Sequence, residues 1–379
     1  MRIILFFPIG AIMDSVIDTF KKVLVNGLQI KASDIHLCVG SSWKYRLHGA
    51  IMPINNIKPL EVAECEELVK HILLSSNRFH IDDIDKTIVT LRDLDCAYVM
   101  EGISRFRVNI CRQRGSFSIT LRVIPFTVPT IDSLGLPEVI KDIALEERGL
   151  VLVTGITGSG KSTTLSAMIN LINQSKPCKI VTIEDPIEYL HKEMKASIIQ
   201  RDVGPDTESF SIALRAALRQ DPDVILVGEM RDTITIDTAL KAAETGHLVL
   251  STLHTLDAPK TLQRIINSFE LSEQQAIRIR VAESLKAVIS QRLIRRSDNT
   301  GRVAVIEIMR NTLTIKDCIE NPEKTGSISD FIATGKDQYG MQTFDQHLME
   351  LYNQKIIDLE TAKLAATSSS DFQRNVTFY

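Results

Sequence analysis

Hydrophobic and polar positions change their period along the chain, and the changes divide it. Over residues 16–28, Ile17, Phe20, Val23 and Leu24 fall on one face at helical spacing. Residues 34–37 and 44–49 read as short strands, the second closing in a turn before Ile51. Residues 60–74 return to helical spacing. Residues 106–110 and 118–124 alternate like paired strands around an Arg114-Gly115 turn. This mixture predicts an α+β domain over residues 14–124, preceded by an extension over residues 1–13.

Residues 125–137 carry three prolines and two turn-prone stretches, the composition of a linker. Beyond it the period is lost in short, continuous apolar runs: Leu150-Val151-Leu152-Val153, Ile180-Val181-Thr182-Ile183, Val224-Ile225-Leu226-Val227 and Leu248-Val249-Leu250-Ser251. Helical stretches separate them. Strands apolar on both faces and alternating with helices predict a parallel sheet covered on both sides. Residues 270–295 and 311–365 read as mostly helical. This gives an α/β domain over 138–372 with a helical C-terminal part, and a tail over 373–379.

Composition alters the picture little. A chain of 379 residues, 44% hydrophobic and 24% charged, suits two or three ordinary globular domains. A net charge of −3 provides no bulk attraction to nucleic acid or anionic lipid. There is no aromatic-basic strip for stacking single strands, so no nucleic-acid partner is expected. The six cysteines include no C-x-x-C pair, which indicates neither a zinc clamp nor a thioredoxin-type site. Reduced thiols of a cytosolic protein are expected. No transmembrane segment is expected. Residues 3–13 are apolar but too short to span a bilayer, and no small-x-small cleavage site follows them. Met13 is an alternative start.

Candidate chemistry enters at Gly155-Ile156-Thr157-Gly158-Ser159-Gly160-Lys161-Ser162, which satisfies G-x-x-x-x-G-K-[ST] between a predicted strand ending at Thr154 and a predicted helix over 163–173. The glycines let main-chain N–H groups turn inward on phosphate oxygens, and the helix N-terminus adds its positive end. Lys161 can reach the β- and γ-phosphates, and the Ser162 hydroxyl can bind Mg²⁺. ATP and Mg²⁺ are therefore the expected cofactors, with Gly155, Thr157, Gly158, Ser159, Gly160, Lys161, Ser162 and Thr163 in the binding loop.

Three acidic positions join them. The run Val224 to Val227 delivers Glu229 at the carboxyl end of a strand, where ligands of such sheets bind. A carboxylate there can orient or deprotonate the attacking water. Thr182-Ile183-Glu184-Asp185-Pro186-Ile187-Glu188 places Glu184 and Glu188 at another strand end. Together with Ser162, Glu229 and Glu184 acting through water would complete a Mg²⁺ shell. An acidic helix start is the plainer reading of that segment.

His247 precedes and His254 follows the fourth apolar run. A histidine near a γ-phosphate can donate a hydrogen bond that hydrolysis removes. Arg107 and Arg122 lie on the two candidate strands flanking Arg114-Gly115. A solvated β face explains them by default, and arginine fingers that offset charge during phosphoryl transfer are the sharper alternative.

With these residues in hand, the chain resembles the PilT/PilU branch of type IV pilus ATPases, within the wider type II/IV secretion ATPase superfamily, over about residues 14–372. The resemblance rests on the phosphate loop, the acidic box 182–188, residues 214–232, the histidine box 242–255 and Gly340-Met341-Gln342-Thr343-Phe344-Asp345-Gln346. It implies a RecA-like P-loop ATPase domain preceded by a PAS-like α+β N-terminal domain. It also implies a homohexamer on the cytoplasmic face of the inner membrane, docked under a pilus platform protein and driving pilus retraction and twitching motility. A second retraction ATPase is a further partner in this family. By resemblance Glu229 is the catalytic glutamate, His247 and His254 form the histidine box, and Arg107 and Arg122 are the arginines sent to the nucleotide.

Two positions depart from the family pattern. Ile156 stands where a proline is common. At Thr314-Ile315-Lys316-Asp317-Cys318-Ile319 the retraction ATPases carry Ala-Ile-Arg-Asn-Leu-Ile, and only the two isoleucines persist. A PilU-like accessory ATPase, or a secretion or extension ATPase of the same superfamily, is the alternative. A ring subunit that binds ATP only as an adaptor is disfavoured by the intact Lys161, Ser162 and Glu229.

Overall fold

A computed structural model describes residues 15–47, 49–76, 81–124 and 127–378. The extension expected over residues 1–13 lies outside them. The chain divides into two compact units between Thr127 and Val128.

In the first unit, α1 (Val16–Gln29) begins where the Ser15 side chain accepts the Asp18 N–H, and it buries Phe20, Val23 and Leu24, the face set by the helical spacing. Three strands follow, β1 (Asp34–Cys38), β2 (Lys44–Leu47) and β3 (Ala50–Pro53). Helices α2 (Val62–Ser75) and α3 (Ile84–Thr90) lead to β4 (Asp93–Met100), β5 (Ser104–Gln113) and β6 (Ser116–Ile124). The strands form an antiparallel PAS-like sheet in the order β3-β2-β1-β6-β5-β4. Side chains of α1 and α2 close a core with Trp43, Tyr45, Phe106 and Phe117. The other face is solvated, which is why β5 alternates buried and half-exposed positions along most of its length. No strand was expected at β4. Of its eight residues only Cys96 and Tyr98 are buried, so its apolar signal is weak.

The second unit runs through α4 (Val139–Ala144), β7 (Gly149–Thr154), α5 (Lys161–Ser175), β8 (Lys179–Glu184), β9 (Ser197–Asp202), α6 (Phe210–Ala217), β10 (Val224–Val227) and α7 (Thr233–Glu244). It continues with β11 (Leu248–Leu253), α8 (Ala258–Ile266), α9 (Gln274–Ser284), β12 (Leu285–Arg295) and β13 (Arg302–Arg310). Helices α10 (Leu313–Glu320), α11 (Ile328–Thr334), α12 (Lys336–Tyr339), α13 (Phe344–Asn353), α14 (Leu359–Ala365) and α15 (Ser369–Phe378) complete it. The last of these carries helix into the segment read as a tail.

Seven strands form one RecA-like sheet, ordered β13-β12-β7-β11-β10-β8-β9, parallel except for the β12–β13 pair. Successive strand residues point to opposite faces. Leu150, Leu152, Val181, Ile183, Ile225 and Val227 therefore pack with α6, α7, α8 and α9. Val151, Val153, Ile180, Leu226 and Leu250 pack with α4 and α5. Every residue of β7, β10 and β11 is buried, so the runs show no alternation in sequence.

Two expectations change here. Within 270–295, the helix stops at Ser284 and the rest is strand β12, because Ala287, Val288 and Ile289 are buried where β12 pairs in parallel with β7. Long-range pairing overrides local spacing. The second half of the expected linker packs on the second unit, where Ile131 and Leu136 join Ile140 and Ile143.

Candidate active site

The parallel register brings four strand ends to one edge of the sheet. Leu253 lies opposite Thr154, and Val227 lies opposite both Ile183 and Ser251. The phosphate loop after β7, Glu184 at the end of β8, Glu229 just after β10 and His254 just after β11 thus share that edge, the place where α/β sheets bind ligands.

The loop is held open by its own backbone. Gly155, Gly158 and Gly160 all have positive φ. At Gly155 a Cβ would sit 2.4 Å from the Gln291 carbonyl oxygen, so no larger residue fits there. Gln291 of β12 braces the loop from beneath: its Nε2 donates to the Ser159 carbonyl at 2.5 Å, and its Oε1 accepts the Thr164 hydroxyl at 2.9 Å. Lys161 Nζ donates to the carbonyls of Gly155 (2.9 Å) and Ile156 (3.1 Å). Burial lowers the Lys161 pKa, and Glu229 and Glu188 act against that shift. Ser159 Oγ is buried without a hydrogen-bond partner among the described residues. Ile156 is largely exposed and leaves the loop geometry intact. A positively charged cradle with a spare hydroxyl fits a polyphosphate.

The carboxylates differ in setting. Burial pushes the Glu184 carboxyl up to about 7, against hydrogen bonds from Thr182 and Gln200. The Thr182 hydroxyl donates at 2.7 Å and Gln200 Nε2 at 3.3 Å. Such a group readily ionises beside a cation. Glu229 is clamped on both oxygens: Arg231 Nη2 is 2.7 Å from Oε2, and His254 Nε2 is 3.2 Å from Oε1. Glu188 is half-buried and electrostatically close to Lys161 and Glu184. Ser162 and Thr163 occupy the first turn of α5, where the Thr163 hydroxyl lies 3.4 Å from Tyr189 Oη, tying the acidic box to the loop helix. Ser162, Glu184 and Glu229 suit Mg²⁺, a cation that keeps waters and oxygen ligands.

His247 is placed elsewhere. It immediately precedes β11, where its carbonyl accepts the Gly149 N–H, at the opposite end of a six-residue strand from His254. Seven residue steps at about 3.3 Å each put the two histidines about 23 Å apart. Its Nδ1 is 2.9 Å from the Ala242 carbonyl, a local helix-end contact. Arg107 and Arg122 are direct cross-strand partners in the first unit. Arg122 Nε is 3.0 Å from Asp34 Oδ1 and Arg107 Nε is 4.0 Å from Asp95, contacts that belong to a solvated sheet face.

The late segment beginning at Gly340 is an anchor: Gln342 exchanges main-chain hydrogen bonds with Ile308, and Thr343 caps α13. Sequence reasoning missed Gln291, Arg231 and Gln200. Arg231 lies two residues after Glu229 and could have been found by that spacing. Gln291 carries no local signal, because it meets the loop only through sheet pairing.

The type II/IV secretion system protein family pattern matches residues 12–354. The type IV pilus retraction ATPase PilT of Pseudomonas aeruginosa is 43% identical over 341 residues, covering 90% of this chain and 96% of that protein. The type IV pilus ATPase PilU of the same organism is 38% identical, covering 93% and 90%. A crystal structure of the pilus retraction motor PilT with bound ADP superposes with a TM-score of 0.83 at 39% identity, covering 93% of this chain and 98% of that one.

Proposed function

The chain belongs to the type II/IV secretion system protein family, and on that premise we propose that it is the ATP-hydrolysing motor of type IV pilus retraction, working as a homohexamer. The observation that carries the catalytic half is the doubly clamped Glu229 at the same sheet edge as Lys161. The retraction half is supported by near full-length similarity to a retraction ATPase.

In this reading the main-chain N–H groups of the phosphate loop and the N-terminus of α5 bind the β- and γ-phosphates. Lys161 exchanges its loop carbonyls for phosphate oxygens. Glu229, oriented by Arg231, accepts the proton of the attacking water. His254 donates to the γ-phosphate and loses that contact after hydrolysis. Ser162, with Glu184 and Glu229 acting through water, would hold Mg²⁺, and Glu188 adds negative charge beside them. Mg²⁺ held there would supply charge neutralisation for phosphoryl transfer. Arg107 and Arg122 offset charge developing in the transition state. The ring docks on an inner-membrane platform protein from the cytoplasmic side. No described helix is long and apolar enough to cross a membrane.

A PilU-like accessory role has one observation in its favour. In α10 the persisting residues Ile315 and Ile319 are fully buried, whereas of the departing residues Thr314 is exposed, Lys316 and Asp317 are half-buried and Cys318 is buried. Packing alone accounts for the two isoleucines. Deletion in the source organism separates the readings: excess pili without twitching supports the retraction motor, twitching retained with reduced force supports the accessory role, and absent pili overturns both in favour of extension.

A further inference from the structure

Three adjacent strands place Thr154, Ser290 and Glu307 in one row, since Ser290 lies opposite Thr154 in β7 and opposite Glu307 in β13. All three are buried, and Glu307 and Glu184 are the two buried carboxylates of the strands in this sheet, apart from Asp202 at its edge. The Thr154 hydroxyl donates to Ser290 Oγ at 3.1 Å, and Ser290 in turn hydrogen-bonds the Glu307 carboxylate. Glu307 Oε1 also accepts the Ala258 N–H at 2.8 Å. Asp257 accepts the Lys260 N–H of the same first turn, so Glu307 satisfies a second free donor at the start of α8. A buried carboxylate is costly where an apolar residue would pack, so the row calls for a reason.

Its ends supply one. Thr154 immediately precedes the phosphate loop. Ala258 follows His254 by four residues, and that loop is stapled by Thr255 Oγ1 to Thr261 Oγ1 at 2.6 Å. We propose that Glu307 is a positioning residue that ties the His254 loop to the root of the phosphate loop, so that His254 and Glu229 keep their distance from the bound phosphates during turnover. This rests on ATP hydrolysis at the Lys161–Glu229 site.

The test is steady-state hydrolysis by the full chain with Mg²⁺-ATP, alongside thermal unfolding. A small displacement of catalytic groups costs up to about 100-fold, so Glu307→Ala should lower kcat by about tenfold or more while KM for ATP moves less than about threefold. Glu307→Gln retains an acceptor for Ala258 and Ser290 and should recover kcat to within about threefold of the parent. If Glu307→Ala does not fold, Ser290→Ala interrupts the row with the carboxylate in place and should lower kcat at unchanged KM. Parental kcat in a folded Glu307→Ala protein overturns the inference, as does parental kcat in Ser290→Ala. Equal losses in kcat and 1/KM that Glu307→Gln does not repair also overturn it. A parent protein without turnover removes instead the hydrolysis reading beneath it.

Discussion

Glu229 and His254 stand at the ends of adjacent parallel strands with Oε1 and Nε2 3.2 Å apart, while Arg231 holds the other carboxylate oxygen at 2.7 Å. A carboxylate fixed on both oxygens cannot rotate away from the loop it faces. Its orientation is set before nucleotide arrives.

Glu229→Gln keeps the shape and removes the base. Loss of general-base catalysis costs about 100- to 10,000-fold, and the substitution should lower kcat by that order while ATP still binds. Phosphate release and binding of a fluorescent ATP analogue measure the two. Parental phosphate release by the variant would show that Glu229 is not the base.

The two histidines should behave differently. His254→Ala lowers kcat, because it frees one oxygen of Glu229. His247→Ala loses its contact with the Ala242 carbonyl and costs about 1 kcal/mol of stability, with kcat near that of the parent. Turnover and thermal melts of both variants, measured side by side, check the split.

Gln291→Ala removes two buried hydrogen bonds from beneath the phosphate loop. At about 1–3 kcal/mol of uncompensated polar burial, ATP affinity should fall roughly 5- to 150-fold. Gln291→Glu retains the acceptor for Thr164 but not the donor to Ser159, and should restore little of it. Isothermal titration gives the dissociation constants.

Gly155→Ala and Gly158→Ala separate crowding from backbone strain. An added Cβ meets backbone and Ser159 atoms at Gly155 but nothing within 4 Å at Gly158. Without nucleotide, Gly158→Ala should cost about 1 kcal/mol for its left-handed backbone, and Gly155→Ala clearly more. Denaturant titration compares them.

Stability should depend on pH through Glu307. Burial pushes its carboxyl from 4.5 up to about 7 in the folded chain. The folded state therefore binds the proton more tightly than the unfolded one. The stability this contributes is full below about 4.5 and is lost as pH rises through about 7. Without nucleotide or Mg²⁺, the thermal midpoint should rise between pH 8 and pH 6, and Glu307→Gln should reduce that rise, with the Glu184 carboxyl, also pushed up to about 7, supplying the remainder. An unchanged slope in the variant would assign the dependence to other groups.

Much of this was legible in sequence. Continuous apolar runs such as Leu150 to Val153 read as buried parallel strands, because burial on both faces abolishes alternation. The phosphate loop and Glu229 were legible because each follows a strand by a fixed short spacing, so chain order alone puts both at one sheet edge. His247 was not. Flanking a strand on either side looks equivalent in one dimension, yet a six-residue strand separates its two ends by the depth of the sheet. Gln291, Ser290 and Glu307 had no local signature either. Their place beneath the loop follows from β12 pairing in parallel with β7, more than 130 residues apart in some contacts. Local spacing therefore determined the elements and the strand-end chemistry, and long-range register alone decided which distant polar groups brace it.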